Sequence, residues 1–220
     1  MAISLRTLVV VAACAVGLIV PAAASADQSY TDPEGDAAGA PDVTTVEVSN
    51  DNAGNVNFRF SLAGNQELAT DSALVLMIDT DRTSTTGGRE GEEVTIILDG
   101  SDGSFDYGRW NGTKIDYAIQ GQTVRIGSRA GLIEVLVNKS ELNNAATFDF
   151  WAYGDKFLAD ALVGQDSAPD GSTVWGYALV TKEVALRAAR VSATPGFPVP
   201  GKPFRVQFSA FQVSNSAVVI

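Results

Sequence analysis

Apolar and polar residues alternate with a period of two through most of the chain. In the stretch 56–62, Val, Phe, Phe and Leu alternate with Asn, Arg and Ser. This alternation predicts β-strands that bury one side and expose the other. Similar segments recur at intervals of about ten residues, with Gly and Asn turns between them: 94–98, 105–110, 115–119, 122–127, 131–138, 146–153 and 173–180. The pattern predicts an all-β fold, an antiparallel β-sandwich of jelly-roll or immunoglobulin-like type.

Three segments depart from simple alternation. Residues 73–78 are apolar at every position, which predicts a central strand covered on both faces. Asn111-Gly112 stands between two strand-like segments and predicts a β-hairpin with a type I′ turn, in which both residues have positive φ. Residues 155–172 lack clear alternation and predict a long loop, and loops of such length are often functional.

The N-terminal segment predicts export. Arg6 is the only charged residue before Asp27, a long apolar run follows it, and an Ala-Ser-Ala triplet ends at Ala26. This order is typical of a secretory signal peptide, here residues 1–26. Two alternatives remain open, a lipoprotein lipidated at Cys14 and an uncleaved N-terminal anchor. We expect a secreted or cell-surface protein whose mature chain does not insert into a membrane.

The character of the chain changes toward its C-terminus. Two strand-like stretches, 184–193 and 204–213, flank a Pro-rich link at 195–201. Prolines so closely spaced are typical of a domain boundary. We expect a β-sandwich domain over residues 27–181 and a truncated immunoglobulin-like domain with a short β extension over residues 182–220.

Charge and composition exclude several classes of function. The chain carries 26 acidic and 15 basic side chains, a net charge of −11, so it repels nucleic acid and we expect no nucleic-acid partner. It has no His, and its single Cys, Cys14, is removed with the signal peptide. Without His there is no Ser–His or Cys–His dyad and the commonest zinc ligand is missing. Chemistry by paired carboxylates, or binding without chemistry, remains.

The acidic pair Asp79 and Asp81 follows the predicted central strand. Residues i and i+2 of an extended chain point the same way, so the two carboxylates can share a site. Counting from Asp79, Thr83 is fifth and Glu90 is twelfth, a spacing that resembles the oxygen-ligand loop of calcium proteins. Ser84 stands at the sixth position, where an EF-hand has Gly, and strands rather than helices flank the segment. The pattern therefore indicates a looser calcium loop rather than an EF-hand.

Asp32 and Asp36 form a second acidic segment near the N-terminus. Three interpretations remain open for both segments: ordinary turn acids, calcium ligands and catalytic carboxylates. Calcium is the one candidate cofactor that the residue types favour.

Aromatic residues are the other candidates for a binding site. Trp110 lies at the predicted hairpin between Arg109 and Asn111, where an exposed turn and polar neighbours suit stacking on a sugar. Trp151 and Tyr153 share one face of a later strand and are also candidates. Core packing is the alternative for each of them, because Trp and Tyr also fill sandwich cores.

Three motifs resemble those of a known family: Asp-Pro-Glu-Gly-Asp at 32–36, Ala-Pro-Asp-Val at 40–43 and Asp-Thr-Asp at 79–81. They resemble the opening of secreted bacterial β-sandwiches of the DOMON-like and family-9-like carbohydrate-binding type, including the C-terminal domain of glucodextranases. The resemblance implies a carbohydrate or haem ligand, or none, and acidic loops of which some bind calcium. Haem lacks a His ligand in this chain. Pro-Gly-Lys-Pro-Phe at 200–204 is similar to the start of an immunoglobulin-like repeat.

These features together indicate a function without catalysis. We expect an exported β-sandwich module that binds extracellular polysaccharide or a cell-envelope component, with calcium as a stabilising ion. The alternative is a structural or spacer domain of an envelope protein with no small ligand. A carboxylate-pair glycosidase is the third interpretation.

Overall fold

The computed structural model describes residues 28–181, 190–194 and 205–209. The predicted signal peptide lies outside these residues, as do the predicted boundary at 182 and most of the predicted C-terminal domain. Within the described part of the chain, no helix has the length and apolar character needed to cross a membrane.

The described strands form two larger antiparallel sheets and one two-stranded antiparallel sheet. In chain order they are β1 (Gln28–Thr31), β2 (Val43–Asn50), β3 (Asn55–Leu62), β4 (Ser72–Asp79), β5 (Val94–Asp99), β6 (Phe105–Trp110), β7 (Ile115–Asp116), β8 (Arg125–Arg129), β9 (Leu132–Asn138), β10 (Thr147–Leu158), β11 (Ala161–Ala168), β12 (Trp175–Ala178), β13 (Arg190–Thr194) and β14 (Arg205–Ser209). The first sheet has the order β1-β2-β3-β9-β8. The second has the order β11-β10-β4-β5-β6-β7, with β12 also paired to β10, and β13 pairs with β14.

The core lies between the two sheets and is lined by alternate residues of their strands. Phe58 and Phe60 of β3 and Phe148 and Phe150 of β10 are fully buried. The rings of Phe58 and Phe150 meet edge to face, with 5.3 Å between their centroids, an arrangement that aromatic pairs favour. The sequence alternation thus corresponds to burial between the sheets, and the predicted all-β antiparallel sandwich is confirmed.

The two sheets approach each other closely at the edge formed by β1 and β12. The Tyr30 ring of β1 packs edge to face on Phe150, with 5.1 Å between centroids, and also contacts Trp175. Its hydroxyl donates a hydrogen bond to the Gly176 carbonyl at 2.6 Å. This edge therefore brings residues from the start of the domain beside residues from its end.

The prediction of a long loop at 155–172 is wrong. β10 continues to Leu158, and β11 returns along it from Ala161 to Ala168. The alternation of β11 is hidden because Gly164 and Asp166 occupy two of its inward positions, where an apolar residue is the usual choice.

The hairpin predicted at Asn111-Gly112 exists, but its turn differs. Gly112 has positive φ, whereas Asn111 does not. The Asn111 side-chain oxygen instead accepts hydrogen bonds from the Thr113 and Lys114 N–H groups at 3.0 and 3.1 Å. This side-chain turn replaces the predicted type I′ geometry, and β7 beyond it is shorter than the predicted strand.

Candidate metal centres

The first centre consists of Asp32, Asp36 and Asp166. Asp32 follows β1, Asp36 lies in the β1–β2 loop, and Asp166 points inward from β11. One carboxylate oxygen from each lies within 4.8 Å of the others. Asp36 is exposed, while Asp32 and Asp166 are only 8% and 2% exposed. The structure thus unites the predicted Asp32 and Asp36 with a carboxylate that the sequence analysis missed.

Backbone donors position the buried carboxylates of the first centre. The Val43 N–H donates to Asp166 Oδ2 at 2.7 Å, and the Asp170 N–H donates to Asp32 Oδ1 at 3.1 Å. Asp32 Oδ2 is buried and has no hydrogen-bond partner. None of the ion pairs among the described residues includes an acid of this centre. An unpaired buried carboxylate lowers the stability of the fold, so a bound cation would stabilise this arrangement.

The electrostatics of the first centre disfavour its own charge. Burial, and then the neighbouring Asp166 carboxylate, raise the pKa of Asp32 to about 6. Burial also raises the pKa of Asp166 to about 6, and the charges of Asp36, Asp42 and Asp170 add to the effect. A cation bound among these oxygens would offset both causes.

This raised pKa predicts how the stability of calcium-free protein depends on pH. Both carboxyls titrate lower when unfolded, so the folded state binds more protons between about pH 4 and 6. The free energy of unfolding should therefore fall as the pH rises through this range. We expect the melting temperature of metal-stripped protein to fall through this range, and saturating calcium to restore it above about pH 6, where the carboxyls are ionised. A double variant Asp32→Asn, Asp166→Asn should show a smaller fall. Identical pH profiles for it and the wild type would contradict the assignment.

The second centre consists of Asp79, Asp81 and Glu93, whose carboxylate oxygens also lie within 4.8 Å of one another. Asp79 ends β4 and Glu93 immediately precedes β5, so antiparallel pairing brings them opposite each other. Asp79 and Glu93 are buried, while Asp81 is exposed. The predicted pair Asp79 and Asp81 thus meets a third acid that the loop spacing did not indicate.

Local hydrogen bonds shape the second centre. Thr80 donates to Glu93 Oε2 from its N–H at 2.8 Å and from its hydroxyl at 3.1 Å. The other oxygen, Glu93 Oε1, is buried without a partner. Burial is the largest cause that raises the pKa of both Asp79 and Glu93. The second centre therefore repeats the features of the first, with two buried acids, one exposed acid and an unpaired oxygen.

The other predicted calcium ligands lie nearby in different roles. The Thr83 N–H donates to Asp79 Oδ1 at 3.2 Å, and its hydroxyl donates to the Asp81 carbonyl at 3.3 Å. Glu90 lies away from the centre, where its Oε2 accepts a 2.5 Å hydrogen bond from the Tyr153 hydroxyl. Glu93 takes the place in the centre that the spacing predicted for Glu90.

Two of the predicted ligand-binding residues, Trp110 and Arg109, are connected to the second centre. The backbone N–H of Trp110 donates a hydrogen bond to the Glu93 carbonyl at 2.8 Å, so the two residues are cross-strand neighbours. The Trp110 side chain is half-buried. Arg109 donates to the Asn143 side chain, which in turn donates to the Thr80 hydroxyl at 2.8 Å. The Trp110 indole thus lies on the outer face beside the acids.

Trp151 and Tyr153 lie on the same outer face, on β10. Trp151 is only 6% exposed although it points away from the core between the sheets. Tyr153 is half-buried and bonded to Glu90. The predicted sugar-site residues therefore fall into two groups, Arg109 to Asn111 at the hairpin and the covered pair on β10.

The donor set of both centres suits calcium. Carboxylate oxygens are hard ligands, and calcium accepts six to eight of them in flexible geometry at about 2.3–2.6 Å. The three oxygens of each centre lie within 4.8 Å of one another, close enough to share one such ion. Magnesium, with about 2.0–2.1 Å bonds, requires a tighter octahedron.

The fold and these centres define an antiparallel β-sandwich with two clusters of buried carboxylates. No protein-family model and no curated protein sequence matches this chain.

Proposed function

We propose that this chain is an exported, non-catalytic β-sandwich module that binds calcium at both centres and recognises polysaccharide or another cell-envelope component. One observation supports it most directly: Asp32, whose carboxylate groups with those of Asp36 and Asp166, has a buried oxygen, Oδ2, without a hydrogen-bond partner. Extracellular calcium modules work with dissociation constants of about 10⁻⁴–10⁻³ M. A weak site of this kind is occupied outside the cell, which agrees with the predicted signal peptide.

The geometry supports calcium binding over the glycosidase alternative. Both carboxylates of a glycosidase must reach the scissile bond of a bound sugar. In the first centre Asp32 and Asp166 are instead buried. A spacer domain that uses calcium only for stability is the second candidate, and the burial of Trp151 favours it.

The resemblance to DOMON-like and family-9-like carbohydrate-binding modules supports a glycan as the ligand class. Trp110, half-buried on the outer face beside the second centre, is the aromatic residue best placed to contact a sugar. A glycan array probed with and without calcium, with Trp110→Ala as the variant, distinguishes a binding module from a spacer. No bound glycan in either condition would favour the spacer.

Calcium is expected to raise the melting temperature of chelator-treated protein. At a hundred times the dissociation constant, one occupied site stabilises a fold by about 2.7 kcal/mol. In a domain of this size that energy raises the melting temperature by roughly 5–10 °C. Calorimetry and circular dichroism with calcium, magnesium and chelator measure the effect.

Asp160→Asn is the matched control for this experiment. Asp160 is an exposed turn acid with φ of 65°, a conformation that Asn tolerates. The variant removes one charge away from both centres and should respond to calcium as the wild type does. An unchanged wild-type melting temperature at about 10–100 mM calcium, a hundred times the expected dissociation constant, would refute the proposed function.

A further inference from the structure

The loop of residues 80–93, called here the cover loop, lies along β10 on the outer face of the second sheet. Near its start, Arg82 Nε donates to Asp149 Oδ1 at 2.9 Å. Near its end, Glu90 accepts the hydrogen bond from Tyr153. Asp149, Trp151 and Tyr153 alternate along one face of β10. The loop is therefore attached to β10 on both sides of Trp151, which explains why an outward Trp is 6% exposed.

The same loop is rooted in the second centre. Asp81 lies within it, Glu93 is its last residue, and Asp79 directly precedes it. Its middle also packs on the centre, since a Cβ added at Gly87 would lie 2.7 Å from Glu93 Oε1. That oxygen is buried and unpartnered, and Glu93 is 7% exposed. A ligand at this oxygen would thus contact the base and the middle of the cover loop.

We propose that a divalent cation at the second centre holds the cover loop closed over Trp151, and that its loss opens the loop and exposes Trp151 and Tyr153. This inference rests on the proposed function, because it assigns a regulatory role to one of the two calcium centres. Without a cation, three carboxylates repel one another at the base of the loop. When a cation is bound, all three carboxylates are attracted to its positive charge.

The size of the effect follows from linkage. A cation that binds only the closed loop lowers the open population by a factor of one plus the ratio of its concentration to its dissociation constant. At ten times the dissociation constant the open fraction falls about tenfold. Local opening exposes backbone to proteases, and cleavage then tracks the open population.

Trypsin provides a direct test because Arg89 is exposed within the cover loop. In wild-type protein, cleavage after Arg89, followed by mass spectrometry, should be about tenfold slower in saturating calcium than in chelator. Acrylamide quenching of tryptophan fluorescence should be stronger in chelator. Asp81→Asn, an exposed change that keeps an acceptor for the Thr86 hydroxyl, should be cleaved equally fast in both conditions.

A second variant tests the contact between the cover loop and β10 without changing an acid of the second centre. Tyr153→Phe removes the hydrogen bond to Glu90 but none of the three carboxylates, and should speed cleavage in calcium while calorimetry still shows calcium bound at the second centre. Equal cleavage rates for wild type in calcium and in chelator, with calcium binding at the second centre verified by calorimetry, would overturn this inference alone. The absence of any calcium binding would instead overturn the proposed function.

Discussion

Replacing Asp166 by Asn is expected to abolish the calcium stabilisation contributed by the first centre without destabilising the calcium-free protein. The Asn side-chain oxygen can still accept the hydrogen bond from the Val43 N–H that Asp166 Oδ2 accepts. Its NH₂ group can donate to a neighbouring carboxylate, and Asp32 Oδ2 lacks a partner. The substitution also removes a charge that raises the pKa of Asp32.

The variant should change the melting temperature differently in chelator and in calcium, and this difference distinguishes a calcium ligand from a structural residue. In chelator the variant should melt at or above the wild-type temperature, because repulsion among the acids is relieved. In saturating calcium it should melt roughly 5–10 °C below the wild type, since one site's stabilisation of about 2.7 kcal/mol is lost.

Asp81→Asn is the matched comparison for the Asp166 variant. It removes a charge from the second centre and should retain the calcium response of the first. Calorimetry should find one calcium site fewer in each single variant. Equal destabilisation of Asp166→Asn in chelator and in calcium would show that Asp166 is only a structural residue.

Periodicity predicts most of this fold because most strands bury one apolar face. β3 alternates visibly, whereas residues 73–78 of β4 are all apolar because the outward residues Ala73 and Val75 are also buried. β11 escapes prediction because Gly164 and the acid Asp166 occupy two of its inward positions. The deviation of β11 from the pattern is thus itself a sign of the first centre.

The sequence predicts only the local part of each candidate site. Asp79 and Asp81 are two residues apart on an extended chain, so their proximity follows from strand geometry. Asp32 meets Asp166 only because β1 and β11 lie at the same edge of the sandwich, and sequence spacing carries no information on that contact. Glu93 was detectable as an acid directly before an apolar strand, but Glu90 fitted the expected loop spacing better.

Gly154→Ala is expected to destabilise the sandwich and to disrupt the first centre. Gly154 of β10 pairs with Asp166 and faces inward, where an added Cβ would lie 1.9 Å from the Pro41 carbonyl oxygen. The obstacle is backbone, so the β1–β2 loop must move away from β10, and Asp36 moves with it. Overpacking of this kind costs about 1–3 kcal/mol or more.

The Gly154 variant should therefore melt roughly 3–10 °C below the wild type in chelator, and the difference should widen in calcium as the first centre is lost. Gly127→Ala on β8 is the matched control, because its added Cβ would have no neighbour within 4 Å, and it should leave both melting temperatures unchanged. Calorimetry of the Gly154 variant should show calcium bound at the second centre only. A fully retained calcium response would contradict this prediction. It would show that the β1–β2 loop adjusts without moving Asp32 and Asp36 away from Asp166. Calcium binding at the first centre would then depend on these acids and not on the close approach of Pro41 to β10.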